Sequence, residues 1–527
     1  MHDSQISLDV ESMNSLLISR FPLNLVLSGW KLSALIFILG VFTGLAMPPV
    51  DAWWILGATV PLFLVLLKNT KRWFFAGWLF GFGYFLVALH WIGYAFLVNA
   101  KADLWMMPFA VGGLAAAAAV YWGLAAYAVK KLAERGFVLW LIFPVCLSIA
   151  EYLRGLLFTG FPWAVPGLAV DGMGAVSQLA SLIGMNGLTL VILVWAAMPL
   201  AFAQGHRKTA MILVALLPLS WSWGQWRLSE YPTQFIEGVG LRLVQPNISQ
   251  SDKWREDNAR NIFNQLLDLS MRPSSAGFKI THVIWPESAV PFLIDESPEG
   301  KAELGQALNG DKILLTGAVR RSGIGPVNGV EPSYYTSVLV FDGHANLLAH
   351  YDKSHLVPGG EYLPLAWLLE PLGFRKVVNL PEGFSAGAGP QSIAIAGAGR
   401  ASLQICYESI FPNSTIDYKR RPDWIVNVTN DGWFGNSSGP YQHLAQLRLR
   451  AIEQGLPIAR AANTGISVVI DPVGRYVQKT ELGKVDARDS RLPTKIQPTV
   501  YFYGGDFALG LGVFLMLMLG YFVRRRV

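Results

Sequence analysis

What most constrains this chain is a set of eight apolar stretches, at about 32–48, 52–67, 73–98, 104–129, 137–153, 173–203, 209–226 and 505–523. A bilayer core about 30 Å thick is crossed by roughly 17–25 helical residues, and most of the stretches reach that length. The first two are short and are separated by Pro48 and Pro49, which predicts a helical hairpin. The competing reading is a set of core helices in a large soluble protein. Composition argues against it: 15% of the 527 residues are charged, where a soluble domain carries about 25%, and several stretches carry no charge. Thirteen of the 19 Trp fall between Trp53 and Trp226, as expected of amphipathic rings at membrane–water boundaries. The chain is therefore expected to be a polytopic α-helical membrane protein with about eight spanning helices.

Lys and Arg in the short loops set the expected orientation. Lys68, Lys71 and Arg72, then Lys130, Lys131 and Arg135, then Arg207 and Lys208, and finally Arg524, Arg525 and Arg526 fall on one side; the alternate loops hold Lys101 and Arg154. Basic loops favour the cytoplasm, so both termini are expected there. Seven segments then deliver residues 227–504 to the external face, and the eighth brings the chain back. The resulting division is a polar tail over 1–31, a membrane domain over 32–226, an external domain over 227–504, and a last span with a basic tail over 505–527. Residues 1–31 lack a short apolar run followed by a small-residue cleavage site, so the first span is expected to act as an uncleaved anchor. The formal charge of +6 is small for the length and resides in the basic loops, which is no nucleic-acid footprint.

Residues 227–504 differ in composition: Asp, Glu, Asn and Pro return. Short runs rich in Val, Ile and Leu recur at Leu241–Gln245, Val283–Trp285, Ile313–Gly317, Ser337–Phe341, Ser402–Cys406, Trp424–Val428 and Ser467–Ile470, and read as strands buried on both faces. Between them, Ser251–Ser270 and Tyr441–Gln454 carry apolar residues at helical spacing. Strands alternating with helices predict one layered α/β domain. The alanine run Ala115–Ala119 lies inside a spanning stretch and should allow close helix packing.

Of the two cysteines, Cys146 falls in a spanning stretch and Cys406 in the external domain, so no disulfide framework is expected. Cys406 ends an apolar run and precedes Tyr407-Glu408, the place where α/β folds carry reactive groups. An isolated cysteine is more often a small core hydrophobe, and the neighbouring Glu408 weighs against that. Glu287, in Trp285-Pro286-Glu287-Ser288, and Lys353, in Tyr351-Asp352-Lys353, also follow strand-like runs. A glutamate can take a thiol proton; a lysine ammonium can lower a thiol pKa and stabilise an oxyanion. Singly, each reads as a solvated surface charge; together they converge. The sequence carries no HExxH, CxxC pair or P-loop, and His355 and His443 read as structural polar residues rather than metal ligands.

These residues resemble the carbon–nitrogen hydrolase (nitrilase) superfamily, whose catalytic set is Glu, Lys and Cys in that order. The whole layout is similar to the bacterial apolipoprotein N-acyltransferase family. The matching stretches are Trp285-Pro286-Glu287, Tyr351-Asp352-Lys353 with His355-Leu356-Val357-Pro358, Cys406-Tyr407-Glu408, Asn430-Asp431-Gly432-Trp433-Phe434-Gly435, Gln442-His443-Leu444, and Arg460-Ala461-Ala462-Asn463-Thr464-Gly465, with Phe161-Pro162-Trp163 on the membrane side. The resemblance implies a nitrilase-like α-β-β-α sandwich in the external domain. It makes Glu287 the general base, Lys353 the oxyanion stabiliser and Cys406 the nucleophile. Glu361, Glu408 and Tyr407 are supporting residues, and Trp254, Trp433 and Phe434 are substrate-binding candidates. The family usually has Val-Pro-Phe-Gly-Glu where this chain has Val357-Pro358-Gly359-Gly360-Glu361, so an aromatic side chain is lost and backbone freedom gained. Leu447-Arg448-Leu449-Arg450 stands for a more usual Ala-Arg-Met-Arg.

The reaction so implied is acyl transfer from a phospholipid, through a Cys406 thioester, to the α-amino group of the S-diacylglyceryl cysteine of an apolipoprotein. It needs no metal or cofactor. The implied setting is the bacterial inner membrane with the catalytic domain periplasmic; the partners are the acyl donor, the lipoprotein acceptor and the bilayer, and a monomer is expected to suffice. Trp367-Leu368-Leu369 is a candidate lid, against a packed helix turn, and Phe411 is expected to line an acyl chamber with Trp433 and Phe434. Two other readings stay open: a membrane-tethered amidase using water as acceptor, and a transporter or receptor in which the nitrilase-like domain only binds. The second predicts charged or broken helices at mid-membrane, and Glu151 and Arg154 lie nearer an edge of their stretch.

Overall fold

The computed structural model describes residues 27–274, 277–323, 332–363, 365–373 and 383–523. Most of the expected N-terminal tail and the basic Arg524, Arg525 and Arg526 lie outside the described residues. The N-terminal half is helical. Among the described residues, Ala100–Ala133 and Pro166–Ala203 are long and apolar enough to cross a membrane. Trp73–Ala88 and His90–Leu97 would make a third span if taken together, but they are bent by 48°. The 73–98 stretch is therefore not one straight helix: it breaks at Leu89, whose φ of −114° and ψ of 7° leave the helical region. Gly29–Gly44, Trp53–Asn69 and Phe507–Val523 are shorter apolar helices, and Leu139–Arg154 and Arg207–Glu230 complete the set. The alanine run packs as its small side chains allow. Ala115, Ala118 and Ala119 are buried, and the Trp78 indole reaches across to donate to the Ala116 carbonyl at 2.9 Å.

The C-terminal half holds two six-stranded sheets. One has the order β12-β1-β2-β3-β4-β5, formed by Asp486–Pro493 (β12), Phe235–Gln245 (β1), His282–Trp285 (β2), Ile313–Arg321 (β3), Tyr334–Phe341 (β4) and Leu347–Asp352 (β5). The other has the order β11-β10-β9-β8-β7-β6, formed by Tyr476–Lys479 (β11), Val468–Ile470 (β10), Ile458–Ala462 (β9), Trp424–Thr429 (β8), Gly399–Ile405 (β7) and Ser392–Ile395 (β6). Each is parallel at its centre, β1-β2-β3 in one and β7-β8-β9 in the other, and antiparallel outside.

The strand period of two sorts the side chains. Leu241, Leu243, Ile284, Val338 and Val340 of one sheet meet Leu403, Ile405, Val426, Val428 and Ala461 of the other in a shared inner core. Their neighbours Val244, Val283, Trp285, Leu339 and Phe341 turn outward onto the helices Ala259–Met271 and Pro298–Leu308. Ile425, Ile458, Val468 and Ile470 turn outward onto Gly439–Gln454. The result is helix, sheet, sheet, helix. All seven expected strands are present. β5, β6, β9, β11 and β12 are additional, and the expected helix over Ser251–Ser270 is interrupted: Gln250–Lys253 stops at Trp254, and a new helix starts at Ala259.

Candidate active site

Three loops bring the charged groups together. Glu287 lies two residues past the end of β2, Lys353 directly follows β5, and Cys406 directly follows β7. The turn carrying Glu287 presses on β3: a Cβ at Gly317 would stand 2.5 Å from both the Glu287 Cα and the Pro286 carbonyl oxygen, so only glycine fits there. Lys353 is fixed by its main chain, donating to Thr336 O at 2.8 Å and accepting from Gly387 N at 2.7 Å. Its Nζ, 1% exposed, is 2.9 Å from Glu361 Oε1 and 3.5 Å from Glu287 Oε1. Glu361 is oriented in turn by the Val357 N–H, which donates to Oε2 at 2.7 Å. The Glu287 carboxylate lies near enough to the Cys406 thiol for its charge to act on it.

Cys406 has φ of 47°, a left-handed conformation costing a non-glycine residue about 1–3 kcal/mol. Its surroundings hold it there. Glu408 accepts from Ile405 N at 2.8 Å on one oxygen; its other oxygen accepts from Ser354 N at 2.7 Å, Ser354 Oγ at 2.8 Å and Tyr351 Oη at 2.7 Å. One carboxylate thus ties the nucleophile turn to the lysine loop. Beneath, the Ser409 hydroxyl donates to Cys406 O at 3.0 Å, and His443 Nε2 lies 3.1 Å from the same oxygen.

The electrostatics correct one expectation. Lys353 does draw the Cys406 thiol toward ionisation, but burial and the Glu287 carboxylate push it further the other way, and the thiol is held protonated at rest. Burial also raises Glu287, opposed by Lys353 and Lys253. For Lys353, burial disfavours the charge, and Glu361, Glu287 and Cys406 outweigh it, so the ammonium stays above its ordinary pKa. The arrangement suits removal of the thiol proton by Glu287 during attack rather than a preformed thiolate.

Residues 39–198 match the family model for the apolipoprotein N-acyltransferase N-terminal domain, and residues 240–485 match the carbon-nitrogen hydrolase model. The apolipoprotein N-acyltransferase of Rhodopseudomonas palustris is 39% identical over 523 residues, covering 95% of this chain and 97% of that one. Those of Bradyrhizobium diazoefficiens, at 39%, and Brucella melitensis biotype 1, at 38%, cover 95% and 90% of this chain and 96% and 92% of theirs. The chain belongs to the apolipoprotein N-acyltransferase family.

The other candidates of this family member are placed unevenly. Glu361 and Glu408 stand in the site as described. Tyr407 faces the helical half: its hydroxyl donates to Gly160 O at 3.2 Å. Trp254 is 48% exposed, with the Lys253 ammonium 5.8 Å from its ring centre. Phe434 packs on Trp91 at 4.4 Å and Trp163 at 5.7 Å between ring centres, joining the two halves, while Trp433 is half-buried. Phe411 is buried, stacked on His355 at 3.8 Å. At the expected lid, Leu365, Trp367 and Leu368 are exposed, Trp367 by 76%; the Leu369 side chain lies outside the described residues. Gly359 takes φ of 78°, where the family's aromatic would be strained.

Sequence reasoning left two groups unassembled, although it read His443 as a structural polar residue. One is Asp431, His443 and Arg460, wholly buried below the nucleophile turn: His443 Nδ1 is 2.9 Å from Asp431 Oδ1, and Arg460 pairs with the other oxygen. Burial opposes the Asp431 charge, but Arg460 and His443 outweigh it and hold its pKa at about 2. Burial and Arg460 push His443 down. Cys406, Asp431 and His443 place potential metal-ligand atoms within 4.8 Å of one another. Yet His443 Nε2 faces Ser409 Oγ at 2.9 Å and the Cys406 carbonyl, and Asp431 is spent on Arg460, so these donors already serve as a support for the turn. Their position in the matched stretches Asn430–Gly435, Gln442–Leu444 and Arg460–Gly465 was the signal. The second group is Lys253, buried at the end of Gln250–Lys253.

Proposed function

We propose that this chain moves a fatty acyl group from a membrane phospholipid to the α-amino group of the S-diacylglyceryl cysteine at the N-terminus of an apolipoprotein, through a thioester on Cys406. The observation that carries this reading is the Glu287–Lys353–Glu361 cluster beside the Cys406 thiol. Glu287 takes the thiol proton as sulfur attacks the ester carbonyl, and Lys353 faces the oxyanion that forms. Collapse breaks the ester C–O bond, Glu287 returns the proton to the leaving alkoxide, and a lysophospholipid departs. The acceptor amine then attacks the thioester carbonyl, Glu287 removes a proton from its nitrogen, and the C–S bond breaks to give the amide and the thiol. Two half-reactions on one sulfur predict ping-pong kinetics.

A helical half under such a site has a physical purpose, since both substrates keep acyl chains in the bilayer. We read the eight apolar stretches as spans of the bacterial inner membrane, with both termini cytoplasmic and residues 227–504 periplasmic. A single chain carries the whole cluster. The exposed Leu365, Trp367 and Leu368 support a loop dipping into lipid.

The test is intact-mass measurement of the purified protein incubated with phospholipid. A fatty-acyl increment that hydroxylamine removes, and that a Cys406→Ala chain lacks, is expected. Transfer of that acyl group to a diacylglyceryl peptide, rather than to water, separates the transferase from an amidase-like hydrolase. An acylated Cys406→Ala chain would sink the mechanism.

A further inference from the structure

Glu287 has two cations around it, and only one is explained by the reaction as written. Lys253 ends the short helix after β1, is 2% exposed, and extends Nζ to the Glu287 main-chain oxygen at 3.1 Å. Among the described residues that oxygen is its hydrogen-bond acceptor, although the ammonium has three N–H groups. Burying a lysine beyond the reach of water is costly without compensating charge. The nearby charges show what compensates it. Glu287 is faced by Lys353, Glu361, Lys253 and the Cys406 thiol; Lys253 is faced by Glu287 and Cys406; Cys406 is faced by Glu287, Lys353 and Asp431. Asp431 is neutralised by Arg460 at its own ion pair. Among the groups that face Glu287 itself, two carboxylates, Glu287 and Glu361, then stand against the Lys353 ammonium, one negative charge in excess, while Glu408 is held by its own hydrogen-bond donors. Lys253 removes that excess.

We propose that Lys253 is a positioning residue for Glu287, pinning its main chain from below and supplying the second positive charge that keeps the buried carboxylate ionised and able to take a proton. The inference rests on the reading of Glu287 as the base. The break in the expected 251–270 helix gains a reason: the chain stops at Trp254 after turning Lys253 inward, and Trp254 itself remains half-exposed. Burial lowers the Lys253 pKa to about 8, with Glu287 and Cys406 acting to raise it, so the ammonium is charged in the range where Glu287 would otherwise begin to protonate.

Removing a cation raises the Glu287 pKa, so a higher pH is needed to ionise the base. An opposite charge within about 4–6 Å moves a carboxyl pKa by about 1–3 units. The experiment follows acyl-enzyme formation from phospholipid vesicles by intact mass, as a function of pH, in the full-length protein and in Lys253→Gln, Lys253→Met and Lys253→Arg. Lys253→Gln keeps a donor for the Glu287 carbonyl and loses the charge; its acid limb should move up by about one pH unit or more. It should then be slower by about tenfold or more on that limb and approach the parent rate at alkaline pH. Lys253→Met should shift equally, and Lys253→Arg should keep the parent limb. A rate lowered by one factor at every pH in Lys253→Gln, or an unmoved limb, overturns the proposal. If Lys253→Met fails to fold, Lys253→Gln and Lys253→Arg still decide it. Glu287→Gln run alongside keeps the two readings apart: a parent-like rate there would refute the base itself, whatever Lys253 does.

Discussion

Two buried charge clusters, one in each half of the molecule, look alike in burial and differ in how fully they are satisfied. In the helical half, Arg154 meets Glu151 through two hydrogen bonds, Nη2 to Oε2 at 2.6 Å and Nε to Oε1 at 3.1 Å, with both side chains 3% exposed or less. The guanidinium also donates to Phe161 O and to Trp163 O, and lies 4.9 Å from the Phe85 ring centre. Trp122 donates to Glu151 at 2.7 Å. Charge cancels one for one and the donors are used. In the sandwich, Lys353 sits between two carboxylates at unequal distances, beside a protonated thiol. The first cluster is closed and can only hold. The second has a proton to move and a cation with charge still to offer, which is what acyl transfer requires. The two are connected: Arg154 grips Phe161 and Trp163, Gly160 accepts from Tyr407 next to the nucleophile, and the Trp163 indole donates to Gln442 at 2.8 Å on the helix that carries His443.

The comparison breaks hardest at the open cluster. Cys406→Ala should abolish acyl-enzyme formation while the protein remains folded in the membrane. Cys406→Ser should fail nearly as completely, because Glu287 would have to deprotonate a much weaker acid. Glu287→Gln should slow thioester formation by roughly 10²–10⁴-fold, the usual contribution of a positioned base. Intact-mass time courses measure all three.

The closed cluster should respond in stability first. Arg154→Met leaves the Glu151 carboxylate buried without its partner, at a cost of about 3–5 kcal/mol. The thermal midpoint in detergent should fall, and the double variant Glu151→Gln with Arg154→Met should recover part of the loss. An unchanged midpoint in Arg154→Met would show that the pair clamps nothing.

Glu408 sharpens the contrast from a third direction, since it is a closed acceptor inside the open site. Five donors converge on it, the Ile405, Ser354 and His355 N–H groups and the Ser354 and Tyr351 hydroxyls, so Glu408→Gln forces an amide NH₂ against an N–H or hydroxyl and loosens the turn that holds Cys406. Misplacing a reacting group by about 1 Å can cost 10²-fold. A drop of that order in acyl-enzyme formation, with little change in thermal midpoint, is expected from rate and melting measurements on the same sample.

How much of this was legible beforehand follows the same division. Glu287 and Cys406 stood out as candidates because each follows a run of β-branched and aliphatic residues, and a strand end is visible in sequence; Lys353 follows the apolar Leu347-Leu348-Ala349, whose strand was not among those expected. β9, Ile458-Ala459-Arg460-Ala461-Ala462, was missed because alanine and arginine carry little strand preference. The edge strands β11 and β12 were missed because their outward residues are charged or exposed. Glu361, eight residues after Lys353, was named only through the resemblance, and the reach of Glu408 across 54 residues to Ser354 is a tertiary fact with no local signature. Lys253 was obscured for the opposite reason: Trp254, read together with Ile262 and Phe263, carried the helical period across the break, so a turn that buries a lysine looked like one exposed position on a longer helix. His443 was read as a structural polar residue, and its place beneath the Cys406 carbonyl agrees.

The smallest effect is expected at the other cysteine. Cys146 and Cys406 are both buried, 9% and 8% exposed, so burial alone does not separate them. Their surroundings do. Cys146 lies inside the Leu139–Arg154 helix within the apolar cluster of the helical half, with ordinary helical backbone. Cys406 stands at a strand end in a left-handed conformation, with a carboxylate and an ammonium facing its sulfur. Removing one buried sulfur from a packed helix costs about 1 kcal/mol, and no charged group depends on it. Cys146→Ala should therefore melt within a few degrees of the parent protein and carry one acyl group per chain at the parent rate. Acylation lost in Cys146→Ala at normal protein levels would mean that the helical half takes a direct part in the chemistry, and the division between a holding cluster and a reacting one would have to be given up.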